Sequence, residues 1–309
     1  MDLVEKVLKG NHRAIAKMIS LVESEPRKIH SYLKELFPHT GHSLIIGITG
    51  SPGSGKSTLI DQMIKDFRAD DKSVGIIAVD PTSPFTGGAI LGDRIRMMRH
   101  SVDEKVFIRS MATRGHLGGL AKSTGEVITL LEAAGNDIIL IETVGVGQDE
   151  VEIVKFADIV LVILIPGAGD EIQTFKAGIM EIGDIFVINK ADHPEATNLE
   201  RQLQAVLSMG LKKGEEMIPV VKTVATTGQG VDLLIKEIYN FMSKNSLELI
   251  EQRRKRLIRW MLEDIIQDMI YQELRGKIRE KEFNEYVEKI YQREVDPYTI
   301  AEKIVNRKS

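Results

Sequence analysis

Gly50-Ser51-Pro52-Gly53-Ser54-Gly55-Lys56-Ser57-Thr58 is the stretch on which the fold turns. It matches the pattern GxxxxGK[ST] at every fixed position. The apolar run Leu44-Ile48 precedes it, and a helical pattern from Ser57 to Phe67 follows. Strand, glycine-rich turn, helix is the context that makes this pattern a phosphate loop. The glycines let the backbone wrap round an anion with its N–H groups pointing inward. The helix start adds the positive end of its dipole. Lys56 is expected to reach the β- and γ-phosphates of a nucleotide and Ser57 to ligate Mg²⁺.

Outward from the loop, short apolar runs recur with amphipathic segments between them. They are Leu44-Ile48, Val74-Val79, Val106-Ile108, Ile138-Ile141, Ile159-Ile165, Ile185-Ile188 and Ile218-Val221. Near-continuous apolar strands separated by helices imply a parallel sheet buried on both faces. The expected fold class is therefore α/β, a doubly wound P-loop NTPase with a mainly parallel sheet and helical extensions at both ends. The expected domains are an N-terminal helical extension (1–43), a P-loop domain (44–243) and a C-terminal helical arm (244–309). In that arm Leu257, Ile258, Met261, Leu262, Ile265, Ile266, Met269 and Ile270 form one apolar stripe, readable as packing on the parent domain or as a dimer arm. The basic run Arg253-Arg254-Lys255-Arg256 with Arg259 reads as a solvated helix face, countered by Glu251, Glu263 and Asp264.

Composition narrows the chemistry. The 309 residues carry 41 Lys+Arg against 45 Asp+Glu, a formal charge of -4, so no global basic field draws the chain to nucleic acid or an anionic membrane. Zero Cys excludes disulfides, iron–sulfur clusters and thiolate metal sites, and disfavours a metallochaperone, because the seven His are dispersed. No apolar stretch is long enough to span a bilayer, and the first twenty residues lack the pattern of a signal peptide. A cytoplasmic location is expected.

Four further segments complete a nucleotide site. Asn189-Lys190-Ala191-Asp192 follows the run Ile185-Ile188 and matches NKxD. A carboxylate at Asp192 can accept from guanine N1–H and the exocyclic amine together. Adenine lacks that donor pair, and a site built on such bonds discriminates by about 10⁴–10⁵. Asn189 is expected to reach N7 and bridge loops, with the stem of Lys190 over the base. Glu142-Thr143-Val144-Gly145 stands where Asp-x-x-Gly is usual, with Glu142 on the metal through water and the Gly145 amide on the γ-phosphate. The residue after Gly145 is Val146, so a water-orienting Gln is not in its usual register. Asp80 ends the run Val74-Val79, and Asp93 closes the Pro/Thr/Gly-rich stretch after it. Both join Ser57 and Glu142 as expected Mg²⁺ neighbours. Val224-Ala225-Thr226 follows the last strand, with the Ala225 N–H expected on guanine O6. Thr113-Arg114-Gly115-His116-Leu117-Gly118-Gly119 reads as a further glycine-rich loop.

Taken in order, these segments resemble the MeaB/ArgK-type GTPases. The residues that carry the likeness are GSPGSGKST from Gly50, VDPTSPFTGGAILGDR from Val79, ETVGVGQDE from Glu142, PGAGDEIQTFKAG from Pro166 and NKAD from Asn189. The resemblance implies a Mg²⁺-dependent enzyme converting GTP to GDP and phosphate, and a homodimer joined through its C-terminal helices. It implies a partner, a cobalamin-dependent acyl-CoA mutase such as methylmalonyl-CoA mutase. To this enzyme the GTPase would gate adenosylcobalamin delivery, with protection or reactivation of the mutase. It also implies a switch between Pro166 and Gly178 in which Asp170 and Lys176 relay the nucleotide state. Alternatives are a metallochaperone-type GTPase and a nucleotide-switch interaction protein with another client.

Overall fold

A computed structural model describes residues 2–80, 98–100, 102–112, 117–143, 155–167, 181–210, 217–243 and 246–306. The chain begins with α1 (Leu3–Leu8), α2 (His12–Ser24) and α3 (Pro26–Leu36). Asn11 caps α2 by accepting from the Ala14 N–H at 3.0 Å, and Pro26 stands in the first turn of α3, where its missing N–H costs nothing.

The sheet follows: β1 (Leu44–Gly50), α4 (Lys56–Ala69), β2 (Val74–Asp80), β3 (Val106–Ala112), α5 (Leu117–Ala133), β4 (Ile138–Thr143), β5 (Ile159–Leu164), β6 (Ile185–Ile188), α6 (Ala196–Gly210), β7 (Val220–Lys222) and α7 (Val231–Ser243). All seven apolar runs are strands, in the order β3-β2-β4-β1-β5-β6-β7, and every named pair is parallel. The reading Thr113 to Gly119 as loop is corrected at its end: α5 starts at Leu117, so Gly118 and Gly119 are helical. His116 lies outside the described residues.

Side-chain alternation on β5 shows how the sheet is buried twice. Ile159, Leu161 and Ile163 join the core under α4 and α7 with Leu59, Met63, Phe67, Leu234 and Ile238. Val160, Val162 and Leu164 turn the other way, to Phe186, Leu199 and Leu203 beside α6. A period of two with both faces apolar is what a central strand requires. β1 leads to β2 on one side, while its neighbour β5 leads to β6 on the other. Connections diverge between them, the topology that generally leaves room for a ligand at the carboxyl edge of a parallel sheet.

The remainder is α8 (Ser246–Gly276), α9 (Glu280–Tyr291) and α10 (Pro297–Val305). The chain divides into two compact units, Met1–Leu257 and Ile258–Ser309, so the division falls within α8. No helix among the described residues is long and apolar enough to cross a membrane.

The start of α8 corrects the expected solvated face. Lys255 does pair with Glu251 one turn away. Arg253 instead forks onto Asp184 at 2.6 and 2.8 Å, and Arg254 onto Asp158 at 2.7 and 2.6 Å. The Arg254 guanidinium also donates to the Gly41 and Ser43 carbonyls at 2.9 and 2.7 Å. The two acids precede β5 and β6 and accept from strand N–H groups, Asp158 from Ile45 and Asp184 from Val160. Two bidentate pairs therefore clamp α8 to the amino edge of the sheet. Hydrogen bonding to Asp158 raises the Arg254 pKa above its ordinary value, against the opposing effect of burial. The Asp158 side chain is 2% exposed and that of Arg254 31%, so Arg254→Ala strands a buried carboxylate. The expected loss is about 2–4 kcal/mol, somewhat discounted for the partial exposure of the arginine. Urea unfolding reads it; a midpoint equal to wild type would remove the clamp from the stability account.

Candidate functional site

The carboxyl edge gathers four described segments. Gly50 ends β1 and opens the phosphate loop with φ at 144°, while Gly53 and Gly55 also take positive φ, 77° and 89°. A Cβ at Gly50 would run into the Ile163 carbonyl oxygen on the neighbouring strand, and one at Gly55 into the Asn189 amide. These two glycines are thus required by conformation and by space.

α4 begins at Lys56, directly on the loop. The Lys56 side chain is buried and its Nζ donates to the Gly50 carbonyl at 2.7 Å and the Ser51 carbonyl at 3.1 Å. The ammonium lies along the rim of the loop it would serve. Ser57 Oγ donates to Glu142 Oε1 at 2.7 Å, with both residues about 6% exposed. Glu142 sits near the end of β4 between Ile48 of β1 and Ala78 of β2. The longer acid thus reaches the Ser57 hydroxyl without an intervening group. A buried hydroxyl and carboxylate form an oxygen-only donor set suited to a hard divalent cation. No group of three or more His, Cys, Asp or Glu that could hold a metal occurs among the described residues. Mg²⁺ characteristically keeps several waters and takes phosphate oxygens beside one or two protein groups, which suits a hydroxyl and a carboxylate. Asp80 ends β2 at the same edge. Asp93, Gly145, Asp170 and Lys176 lie outside the described residues.

Asn189 joins the loops. Its Nδ2 donates to the Ser54 carbonyl at 2.8 Å, and its Oδ1 accepts from the Ala225 N–H at 3.1 Å and Thr223 Oγ1 at 3.2 Å. Asn189 is 2% exposed, so leaving any of these unmade would be costly. Lys190 takes φ +54° and lays its stem toward the phosphate loop, with Nζ on the Gly53 carbonyl at 3.0 Å. Asp192 is exposed two residues on, and Ala225 and Thr226 follow β7 beside it in the topology. The Ala191 N–H donates to Thr223 O, tying the two base-side loops together. A hairpin-like bridge from Val224 to Gln229 shapes the turn.

Sequence reasoning did not single out one contributor to the site, Thr223, and one buried acid on α4, Asp61. Thr223 is buried and supports Asn189 across 34 residues, a contact with no local signature. Asp61, one turn beyond Ser57 on α4, is buried and holds Arg99 and His100, the latter at 2.9 Å. A carboxylate at a core-facing helix position was the available signal.

Residues 15–279 match the family described as Methylmalonyl Co-A mutase-associated GTPase MeaB. A chain of Pyrococcus abyssi (strain GE5 / Orsay) that carries a GTPase name is 49% identical over 310 residues, covering 98% of this chain and 95% of that one. GTPase ArgK of Escherichia coli (strain K12) is 35% identical over 270 residues, covering 84% and 82%. The Mus musculus protein named methylmalonic aciduria type A homolog, mitochondrial, is 34% identical over 275 residues, covering 82% and 66%. Among solved structures, one titled LAO/AO transport system kinase superposes with a TM-score of 0.68 at 24% identity, covering 98% and 95%. At that identity the likeness speaks for the fold.

Proposed function

This chain belongs to the MeaB family of methylmalonyl-CoA mutase-associated GTPases, and on that premise we propose that its GTP cycle serves a cobalamin-dependent acyl-CoA mutase. The chain is a GTPase and binds guanine nucleotide. The client proposed is methylmalonyl-CoA mutase. The task proposed is to gate adenosylcobalamin delivery and to protect or reactivate that enzyme. The family description and the name of the mouse relative support this client. With no Cys in the chain, the gate works without a thiolate on cobalt.

One observation carries the nucleotide reading: the Asn189 amide holds the phosphate loop at Ser54 and the base loop at Ala225 in a single buried contact set. In the proposed site, the loop from Gly50 to Thr58 wraps the phosphates with its N–H groups. Lys56 swings from its carbonyls onto the β- and γ-phosphates. Asp192 accepts from the guanine edge, Lys190 covers the ring, and the turn Val224-Ala225-Thr226 borders O6; the Ala225 N–H expected on O6 is instead held by Asn189 Oδ1, and the Val224 N–H by the Gln229 carbonyl. Ser57, Asp80, Asp93 and Glu142 form the proposed Mg²⁺ neighbourhood, and Ser57 with Glu142 fits that ion by donor chemistry. When bound, Mg²⁺ would neutralise charge building on the phosphate oxygens. The Gly145 amide is the proposed γ-phosphate sensor, with Asp170 and Lys176 as the relay to the mutase.

A homodimer is part of the proposal. Within Ile258–Ser309, Ile258, Leu262, Ile266, Met269 and Ile270 are 46 to 62% exposed at helical spacing, a face whose apolar area a second copy would remove from water. A cytoplasmic location is proposed with it.

Gel filtration with light scattering tests these readings together, using the full chain and purified methylmalonyl-CoA mutase. The chain alone is expected at twice its single-chain mass. Association with the mutase is expected to differ between GDP and a non-hydrolysable GTP analogue. Absence of association in both nucleotide states, with GTP turnover intact, would remove the mutase as client. A single-chain mass would remove the dimer.

A further inference from the structure

A cleft of about 810 Å³ opens at the sheet edge opposite the nucleotide loops. Ser73, Lys105 and Asn136 line it, and they immediately precede β2, β3 and the approach to β4. The sheet is parallel, so these residues mark its amino edge, whereas Gly50, Glu142 and Asn189 mark its carboxyl edge. The facing wall is the corner between α1 and α2, from Lys9 to Arg13. Its volume lies within the range of small-molecule sites, about 300–1,000 Å³.

The charge distribution in this cleft runs against that of the chain. Lys6, Lys9, Arg13 and Lys105 line it with Glu104 the single carboxylate, in a protein of formal charge -4. Lys105 is engaged by Asp71 at 2.8 Å. Lys6, Lys9 and Arg13 make no ion pair with any described residue. Three like charges, on α1, on the corner after it and on α2, stand around one concavity and repel one another, which an anion placed among them would offset. The first turn of α2 carries no acid, so its positive end adds to the field. Ile15 and Phe107 are buried beneath, and the His12 ring stands edge-on to Phe107 at 5.4 Å, giving the basic rim a firm apolar floor.

We propose that this cleft binds a small oligophosphate anion, held by Lys6, Lys9 and Arg13, at a second site separate from the GTP site. Three cations not committed to ion pairs match the charge of a diphosphate-sized ligand, and Arg13 adds bidentate capacity that lysine lacks. A nucleic acid strand is a poor fit for a concavity of about 810 Å³ in a protein of formal charge -4. Binding here weakens with salt, as expected for cations on a partly exposed rim.

Inorganic pyrophosphate is the probe. It is titrated calorimetrically into the full-length chain with GDP saturating, so that the phosphate loop is already filled. One equivalent is expected to bind, at least tenfold more weakly to Lys9→Ala/Arg13→Ala. Lys289→Ala, an exposed lysine on α9, is expected to bind as wild type. Lys9→Glu is a second variant expected to lose binding, and circular dichroism checks that each variant is folded. GTP turnover is expected to be equal in wild type and the double variant, so failure here leaves the GTPase reading standing. No heat from wild type, or equal binding by the double variant, overturns the proposal.

Discussion

Asp192→Asn is expected to lower GTP and GDP affinity at least a hundredfold and to open the pocket to xanthine nucleotides. Guanine presents N1–H and a 2-amino group side by side, and a carboxylate accepts from both. An asparagine offers one acceptor and one NH₂ donor, so one guanine donor then faces a donor. The lost charge-assisted bond and the new mismatch together cost about 3–5 kcal/mol, which exceeds a hundredfold. Xanthine has a carbonyl at C2 in place of the amine, and the asparagine NH₂ can donate to it. The substitution should spare the fold, since Asp192 is exposed. Nucleotide affinities by fluorescence titration, with guanine and xanthine diphosphates side by side, provide the check. GDP affinity within threefold of wild type would sink the base assignment and with it the reading of Asn189-Lys190-Ala191-Asp192.

The elements legible in the sequence were those with a local signature. The strands appear as apolar runs because a parallel sheet buries both faces, and β5 is apolar at every position from Ile159 to Leu164. The phosphate loop is legible because conformation and space restrict Gly50 and Gly55 to glycine. The clamp on α8 was not legible. Arg253 and Arg254 lie in a run of charges with acids at helical spacing, which is also how a solvated face reads. Their partners Asp184 and Asp158 stand 69 and 96 residues away. Only the packing of α8 against the amino edge of the sheet brings them together. The Asn189–Thr223 contact escaped for the same reason, since a polar residue after a strand has no pattern that names its partner. Glycines 118 and 119 misled in the opposite direction. Glycine weakens a helix by about 1 kcal/mol relative to alanine, yet two of them stand in the first turn of α5, where the cost is least felt.

Lys56→Ala is expected to reduce GTP turnover about a thousandfold while changing GDP affinity far less. The asymmetry follows from where charge develops. In phosphoryl transfer the negative charge grows on the oxygens around the γ-phosphorus and the β–γ bridge, and an ammonium fixed there stabilises the transition state more than the bound product. Removal of one such preorganised group costs about 3–4 kcal/mol in a dry site. In this chain the ammonium is prepositioned, buried on the Gly50 and Ser51 carbonyls 2.7 and 3.1 Å away. It then has only to exchange those carbonyls for phosphate oxygens, with little side-chain ordering left to do. Lys56→Arg is expected to fail as well. A planar guanidinium with fixed fork geometry does not reproduce the compact point charge that the buried ammonium places on the Gly50 and Ser51 carbonyls. Single-turnover kinetics, with GDP affinity measured in parallel, separates the two effects. Equal losses in GTP turnover and GDP binding would mean that Lys56 holds the loop together without acting on the transition state. In that event the hydrogen bonds to Gly50 and Ser51 would be its main work.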